Sequence, residues 1–359
     1  MEGFQSIPQL ELLRDEWNAL AAEQGHALLR HEWFLSAAKT LHEERQLAVA
    51  IRTAGSRLEA VAPLVRTSVA GVERLAFIGV DALYEPTGFL ASDERARGAL
   101  IDDVVRLGRP LVLQRLSSNT DVATLAAAGR GRGVLLRREG SPWLGVSLEG
   151  ESGARAANPT GKLRADLRRA RARASEHGEV SFEVAAPRVD EVEAPLSAFM
   201  TIEGSGWKQR ADSALAANPR MEAFFRTYCR LAAEAGLLRF FFLRFGSRLV
   251  SAQMAVEVYD RLWLLKIAYD ESLARSSPGF LLIAESLAYA HARGLRSYEF
   301  LGAAESWEER WRPAARPCDV VLFYPWGVRG GVSASLDVAG AAWHRLSRRT
   351  AAHTHGAEA

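Results

Sequence analysis

Four groups of residues in this chain have the types and spacing that chemistry needs. The first is Ser276-Ser277-Pro278-Gly279, ahead of an apolar helical stretch. Ser277 can cap, Pro278 preorganises the first turn, and Gly279 lets a ligand approach the backbone, so free N–H groups and the helix dipole would meet an anion there. Taken alone, the same pattern reads first as an ordinary capped helix. The second is Tyr269-Asp270, at the end of an apolar run, a usual place for functional side chains in an open α/β sheet. Asp270 could orient or deprotonate an amine, or equally cap a turn. Glu203 and Glu285 are weaker bases, each explained as well by a capping or exposed carboxylate. The third is Trp207-Lys208 in a glycine-bracketed loop, a substrate platform or an indole folded back onto the core. The fourth, Trp307 and Trp311 with Arg310 and Arg312, could line an acceptor pocket or simply pack.

The elements that must hold these groups follow from periodicity. A basic helix from Lys162 to His177 carries Lys162, Arg164, Arg168, Arg169, Arg171 and Arg173 opposite an apolar stripe of Leu163, Leu167, Ala170 and Ala174. It reads as a solvated helix packed by one face, or as an electrostatic contact for phosphates or an anionic glycan. Asn158 and Pro159 are placed as its cap and first residue, and Gly178 as its stop. A helix from Met221 to Ala235 leads to strands at Leu238–Phe245, Leu249–Tyr259 and Leu262–Tyr269. A helix from Phe280 to Arg293 and a strand at Ser297–Leu301 follow. The first half shows helices around Trp17 and from Trp33 to Leu41, then strands at Leu47–Ile51 and Leu58–Val65. The turn Gly246-Ser247-Arg248-Leu249 repeats Gly55-Ser56-Arg57-Leu58, each time between two strand-like runs, which suggests two copies of one fold. Small, turn-prone residues at 150–160 read as a linker. The expected units are 1–150, 158–335 and a disordered tail at 348–359.

Composition excludes several classes. The 359 residues are 48% hydrophobic and carry 45 basic against 43 acidic residues, net +2. That is a globular chain without the basic surplus of a dedicated DNA binder. Two distant cysteines, Cys229 and Cys318, make no disulfide framework or zinc pattern and point to a reducing, cytoplasmic setting. No run reaches the ~20 apolar residues of a membrane helix, and no signal sequence is visible at the N-terminus. There is no Gly-x-Ser-x-Gly elbow, His-Glu-x-x-His or Walker loop, and the histidines have no ligand spacing. With no credible nucleophile, direct attack of an acceptor on a bound acyl donor is the simplest chemistry.

Residues 160–312 resemble the CelD-like acetyltransferases of the Gcn5-related N-acetyltransferase (GNAT) superfamily, relatives of FemAB peptidyltransferases. The resemblance is carried by Leu163-Arg164-Ala165-Asp166-Leu167-Arg168-Arg169, Glu203-Gly204-Ser205-Gly206-Trp207-Lys208, Lys266-Ile267-Ala268-Tyr269-Asp270, Ser277-Pro278-Gly279 and Gly302 through Trp311. Ala62-Pro63-Leu64 and Tyr84-Glu85-Pro86 extend it loosely into the first half. Two departures stand out: Glu308 follows Trp307 where the pattern has lysine, and no glycine falls near Asp212-Ser213. The resemblance implies tandem α/β (α+β) domains, each a mostly antiparallel sheet flanked by helices, the first a degenerate twin. It implies transfer of an acyl group, acetyl in the first instance, from acyl-CoA to an amine or hydroxyl of a small metabolite or sugar, without metal. Cofactor contacts are implied at Ala268, Ser276, Ser277, Pro278, Gly279 and Phe280. Catalytic roles fall to Asp270, Tyr269 and Lys208, and substrate contacts to Trp207, Glu203, Lys266, Glu305, Trp307 and Tyr84. The FemAB kinship keeps aminoacyl-tRNA as an alternative donor, and a non-catalytic binding protein as a third reading.

Overall fold

The computed structural model describes residues 2–4, 6–157, 159–204 and 218–340. The N-terminal half runs β1 (Glu2–Phe4), α1 (Ile7–Glu11), α2 (Arg14–Gln24), α3 (His31–Thr40), β2 (Val49–Ala54), β3 (Arg57–Ala62), β4 (Leu64–Val69), β5 (Val72–Phe77), α4 (Val80–Leu83), β6 (Leu90–Ala91), α5 (Glu94–Arg106), β7 (Leu111–Leu116), α6 (Asn119–Gly129) and β8 (Gly133–Ser147). The C-terminal half continues with α7 (Gly150–Ala157), α8 (Gly161–Ser175), β9 (Val180–Ala185), α9 (Glu193–Gly204), α10 (Pro219–Glu234), β10 (Leu238–Phe245), β11 (Arg248–Val258), β12 (Arg261–Tyr269), α11 (Pro278–Ala292), β13 (Ser297–Glu299) and β14 (Ala314–Pro325). Residues 328–340 are helical.

Ten strands form one sheet in the order β4-β5-β7-β14-β8-β13-β12-β11-β10-β9, and β1-β2-β3-β6 form a second. Pairing is antiparallel except at β5–β7 and β12–β13, so the chain has the expected mixed, mostly antiparallel α/β fold flanked by helices. The two halves share the large sheet. β14, late in the chain, lies between β7 and β8 of the first half, and the end of β8 pairs with β13 of the second. A buried carboxylate locks this exchange. Glu299 on β13 receives two hydrogen bonds from the Arg316 guanidinium on β14, at 2.6 and 2.7 Å, one from Ser297 at 2.7 Å and one from the Trp143 indole on β8 at 3.3 Å.

Both faces of the C-terminal sheet are covered, which is why β10 is a continuous apolar run and not an alternating one. Phe240 and Phe242 point into a core shared with α2, α3 and α10; Phe241, Leu243 and Phe245 point into a core with α7, α8 and α11. The first core joins the halves, with Trp33 of α3 edge-on to Phe224 and Tyr228 of α10 at 4.9 Å each. Helix α10 starts where its signals say: Asn218 accepts hydrogen bonds from the N–H groups of Arg220 and Met221, and Pro219 occupies the first turn. Both repeated turns are hairpins with a left-handed glycine, Gly55 (φ 62°) and Gly246 (φ 58°).

Two expectations need correction. The linker reading of 150–160 gives way to α7, because Ala156 is buried in the core against α11 and tertiary packing overrides a turn-prone composition. Helix α8 begins at Gly161 with Thr160 at its cap, so Pro159 precedes the helix; Asn158 lies outside the described residues. The tail at 348–359 also lies outside them. Among the described residues no helix is long and apolar enough to cross a membrane.

Candidate active site

The decisive geometry is a parallel strand pair that parts. β12 and β13 are in register only over Arg261–Trp263 and Ser297–Glu299; β12 then runs on from Leu264 to Tyr269 with no partner on β13. A bulge at Leu265 bends β12 along this stretch, since Met254 faces Lys266 while its neighbour Ala255 faces Leu264. On the other side, Leu301 (φ 60°) and Gly302 (φ 59°) turn the chain away through left-handed backbone. The result is a wedge open between the two strand ends.

Helix α11 points its N-terminus at this wedge. Its cap residue Ser277 is left-handed (φ 50°) and its side chain makes no capping bond, while Pro278 fills the first turn. Gly279 makes a close approach: a Cβ there would lie 3.2 Å from Tyr269 Cδ1, so glycine lets the first turn sit against the tyrosine ring. Tyr269, Ser276, Ser277, Pro278 and Gly279 are therefore brought together, with Ser276 buried and Tyr269 partly exposed. Ala268 is buried on β12, its carbonyl accepting the Ser251 hydroxyl at 2.7 Å.

Asp270 has a different occupation. It caps the 3-10 turn Glu271–Ser276 through the Ser272 N–H (3.0 Å), accepts the Ser272 hydroxyl (2.7 Å) and pairs with Arg248. Burial alone would raise its pKa, but these donors hold the carboxyl below the usual range. A carboxylate so fully used is a poor proton acceptor. Glu285 pairs with Arg171 at 2.9 Å, and Glu203 is buried on α9. Trp207 and Lys208 lie outside the described residues.

Aromatic rings line the α11 side. Phe280 packs on Trp311 at 5.4 Å with the Arg310 guanidinium over its ring, and Trp307 stands edge-on to Phe300 at 5.5 Å. The Trp307 indole donates to Glu305 at 2.7 Å, and the Glu305 N–H donates to Glu308 at 3.0 Å. Burial pushes the Glu308 carboxyl up to about 7. Beyond Trp311 lies a cleft of about 800 Å³ between the start of α8 and the end of β8, bearing Arg155, Lys162, Arg310 and Arg312 against Asp166 and Glu309.

The opposite side brings the expected substrate contacts Tyr84 and Lys266 together with Glu85 and Arg115, to which sequence reasoning gave no role. Glu85, from the first half, is buried and accepts the Gly302 N–H at 2.8 Å. Burial raises its carboxyl to about 7, against the opposing pull of that hydrogen bond and of the Lys266 and Arg115 charges. Arg115 is buried with a left-handed backbone (φ 58°), donates to the carbonyls of Ser141 and Gly302, and lies 4.9 Å over the Tyr84 ring. Lys266, on β12, sits with its ammonium 5.5 Å from the centre of the Phe225 ring. The sequence showed Glu85 only as part of the loosely matching Tyr84-Glu85-Pro86, with no role attached.

The sequence profile of the acetyltransferase (GNAT) domain matches residues 161–309, the segment that builds the wedge and α11. Residues 161–309 are thus similar to GNAT acetyltransferase domains. No curated protein matches the chain. Among solved structures, FemX superposes with a TM-score of 0.60 at 11% identity, covering 86% of this chain and 95% of FemX. The C-terminal DUF2156 domain from Agrobacterium fabrum, assigned to a lysylphosphatidylglycerol synthetase, gives 0.58 at 13% identity, covering 93% and 96%. A conserved protein of unknown function from Bacteroides thetaiotaomicron gives 0.53 at 10% identity, covering 81% and 89%. At these identities the likeness is one of fold. The matched profile is that of an acetyltransferase domain, and the related folds extend over the first half as well as the matched segment.

Proposed function

We propose that this protein transfers an acyl group, acetyl in the simplest case, from acyl-CoA to an amine or hydroxyl on a small metabolite or sugar. The observation that carries the proposal is the wedge between β12 and β13 with the uncapped N-terminus of α11 at its mouth, inside the GNAT domain. The residues suit a CoA-type donor. Backbone N–H groups at Gly279 and Phe280 would face its pyrophosphate, and the parted strand would offer β12 backbone to the thioester. The basic cleft beside α8 supplies positive charge for outlying phosphates.

Direct attack is favoured over an acyl-enzyme. Cys229 is fully buried and its thiol is pushed far up by burial, and burial raises the Cys318 thiol to about 11, so neither is an activated nucleophile. The acceptor nitrogen or oxygen would bond to the thioester carbon, the C–S bond would break, and CoA would leave. In this reading residues 158–335 hold the donor, residues 1–150 close the acceptor side, and the protein works in the cytoplasm, where CoA esters are found.

Thermal shift of the purified protein with acetyl-CoA, longer acyl-CoAs and free CoA tests the reading. A rise in Tm with CoA esters is expected, lost when Gly279→Trp fills the turn. A second reading, aminoacyl transfer from charged tRNA as the FemAB resemblance implies, is favoured by the arginine-rich α8. Its signature is no shift with any CoA species and a salt-dependent shift with charged tRNA. No response to either would leave a binding role for the fold.

A further inference from the structure

We infer that Glu85, supplied by the N-terminal half, takes the proton from the attacking acceptor at the wedge of the C-terminal half. The inference rests on the acyl-transfer reading and assigns a proton acceptor within it.

Position comes first. Gly302 is where the chain leaves β13 and the wedge opens, and its N–H holds Glu85 Oε2 at 2.8 Å. Lys266, on the opposite wall just past the β12 bulge, is near enough to act on the same carboxyl by charge. Glu85 thus stands at the two strand ends between which a thioester would lie, on the face away from the α11 core. Among the described residues Oε2 has the Gly302 N–H and Oε1 has no hydrogen-bond partner, which leaves one oxygen available to an acceptor.

Preparation comes second. A group that must accept a proton at neutral pH works best with a pKa near that pH. Desolvation has brought Glu85 to about 7 even though two cations and an N–H oppose it. Asp270 fails the same test, with its pKa lowered and its oxygens bound by Ser272 and Arg248. Glu308 is on the α11 side, where its charge acts on Tyr298, the partner of Ser286 on that helix, and so lies toward the donor. Arg115 acts as a positioning residue: by gripping the carbonyls of Ser141 and Gly302 it fixes the loop whose N–H holds Glu85.

The step balances without a further reactant. The acceptor lone pair forms the new C–N or C–O bond and the C–S bond breaks. The thiolate leaves with the electron pair, and the acceptor proton moves to the Glu85 carboxylate.

The test follows thiol release from acetyl-CoA with two probe amines, glucosamine and hydroxylamine, the latter already neutral at pH 7. Glu85→Gln keeps an acceptor for the Gly302 N–H and should retain the acetyl-CoA thermal shift of the wild type. With glucosamine its kcat should fall about 10²–10⁴-fold, and the rise of rate through pH 7 should vanish. With hydroxylamine the loss should be at least tenfold smaller, and Glu85→Asp should recover part of the rate with the pH limb intact. An unaltered pH profile in Glu85→Gln, or equal losses with both amines, overturns the role of Glu85 alone. A wild type that shows no shift with any CoA ester overturns the donor reading and this inference with it.

Discussion

Glu308 stands where the resembled pattern has a lysine, and its burial gives the site an ionisable group with the opposite response to pH. Its folded pKa of about 7 lies above the ordinary 4.5, so the folded state keeps a proton that the unfolded state releases. The associated stability is complete below about pH 4.5, falls as pH rises towards 7, and stays lost above it. Glu308→Gln has no such loss and can still accept the Glu305 N–H. Its urea midpoint should match the wild type at pH 4.5 and exceed it at pH 8, by the equivalent of roughly 1–3 kcal/mol; a constant difference across that range would contradict the assignment. At this scale the sequence was readable where a role is local and opaque where it is not. Ser277, Pro278 and Gly279 declare themselves within four residues. Asp270 looked like a base because its partner Arg248, across the hairpin, cannot be seen from its neighbours. Glu85 owes its raised pKa to burial and its placement to Gly302, 217 positions away, and no spacing rule reaches that far.

Single elements show the same division. The hairpins at Gly55 and Gly246 were legible because a left-handed turn demands glycine. Helix α7 was not, because its helicity comes from packing against α11 rather than from its composition. The strand junction at β8 depends on one residue that composition does not mark. A Cβ on Gly145 would lie 2.2 Å from Glu299 Oε2 and 3.1 Å from Arg316 Nε, inside the ion pair that ties β13 to β14. Gly145→Ala should therefore cost about 1–3 kcal/mol, the range for overpacking a well-packed interior. Chemical denaturation followed by far-UV circular dichroism would read this directly, and a variant within 0.5 kcal/mol of the wild type would remove the clamp from the account of the fold.

For the molecule as a whole, the sequence suggested two successive units, whereas the sheet runs through both. The helices of the first half cover one face of β10–β12, and β8 supplies a neighbour to both β13 and β14. Thermal unfolding should then be one transition, with tryptophan fluorescence and far-UV circular dichroism superimposing. A fragment of residues 158–335 should show no cooperative transition of its own; a sharp melt from that fragment would prove the second half autonomous. The place of β14 between β7 and β8 also bears on how the protein is made. Residues 314–325 leave the ribosome long after their partners at 111–147, so β7 and β8 must wait with unpaired edges until β14 has been synthesised. Folding of the large sheet is then completed only once β14 has emerged, through contacts of high sequence separation that form slowly and leave strands exposed meanwhile.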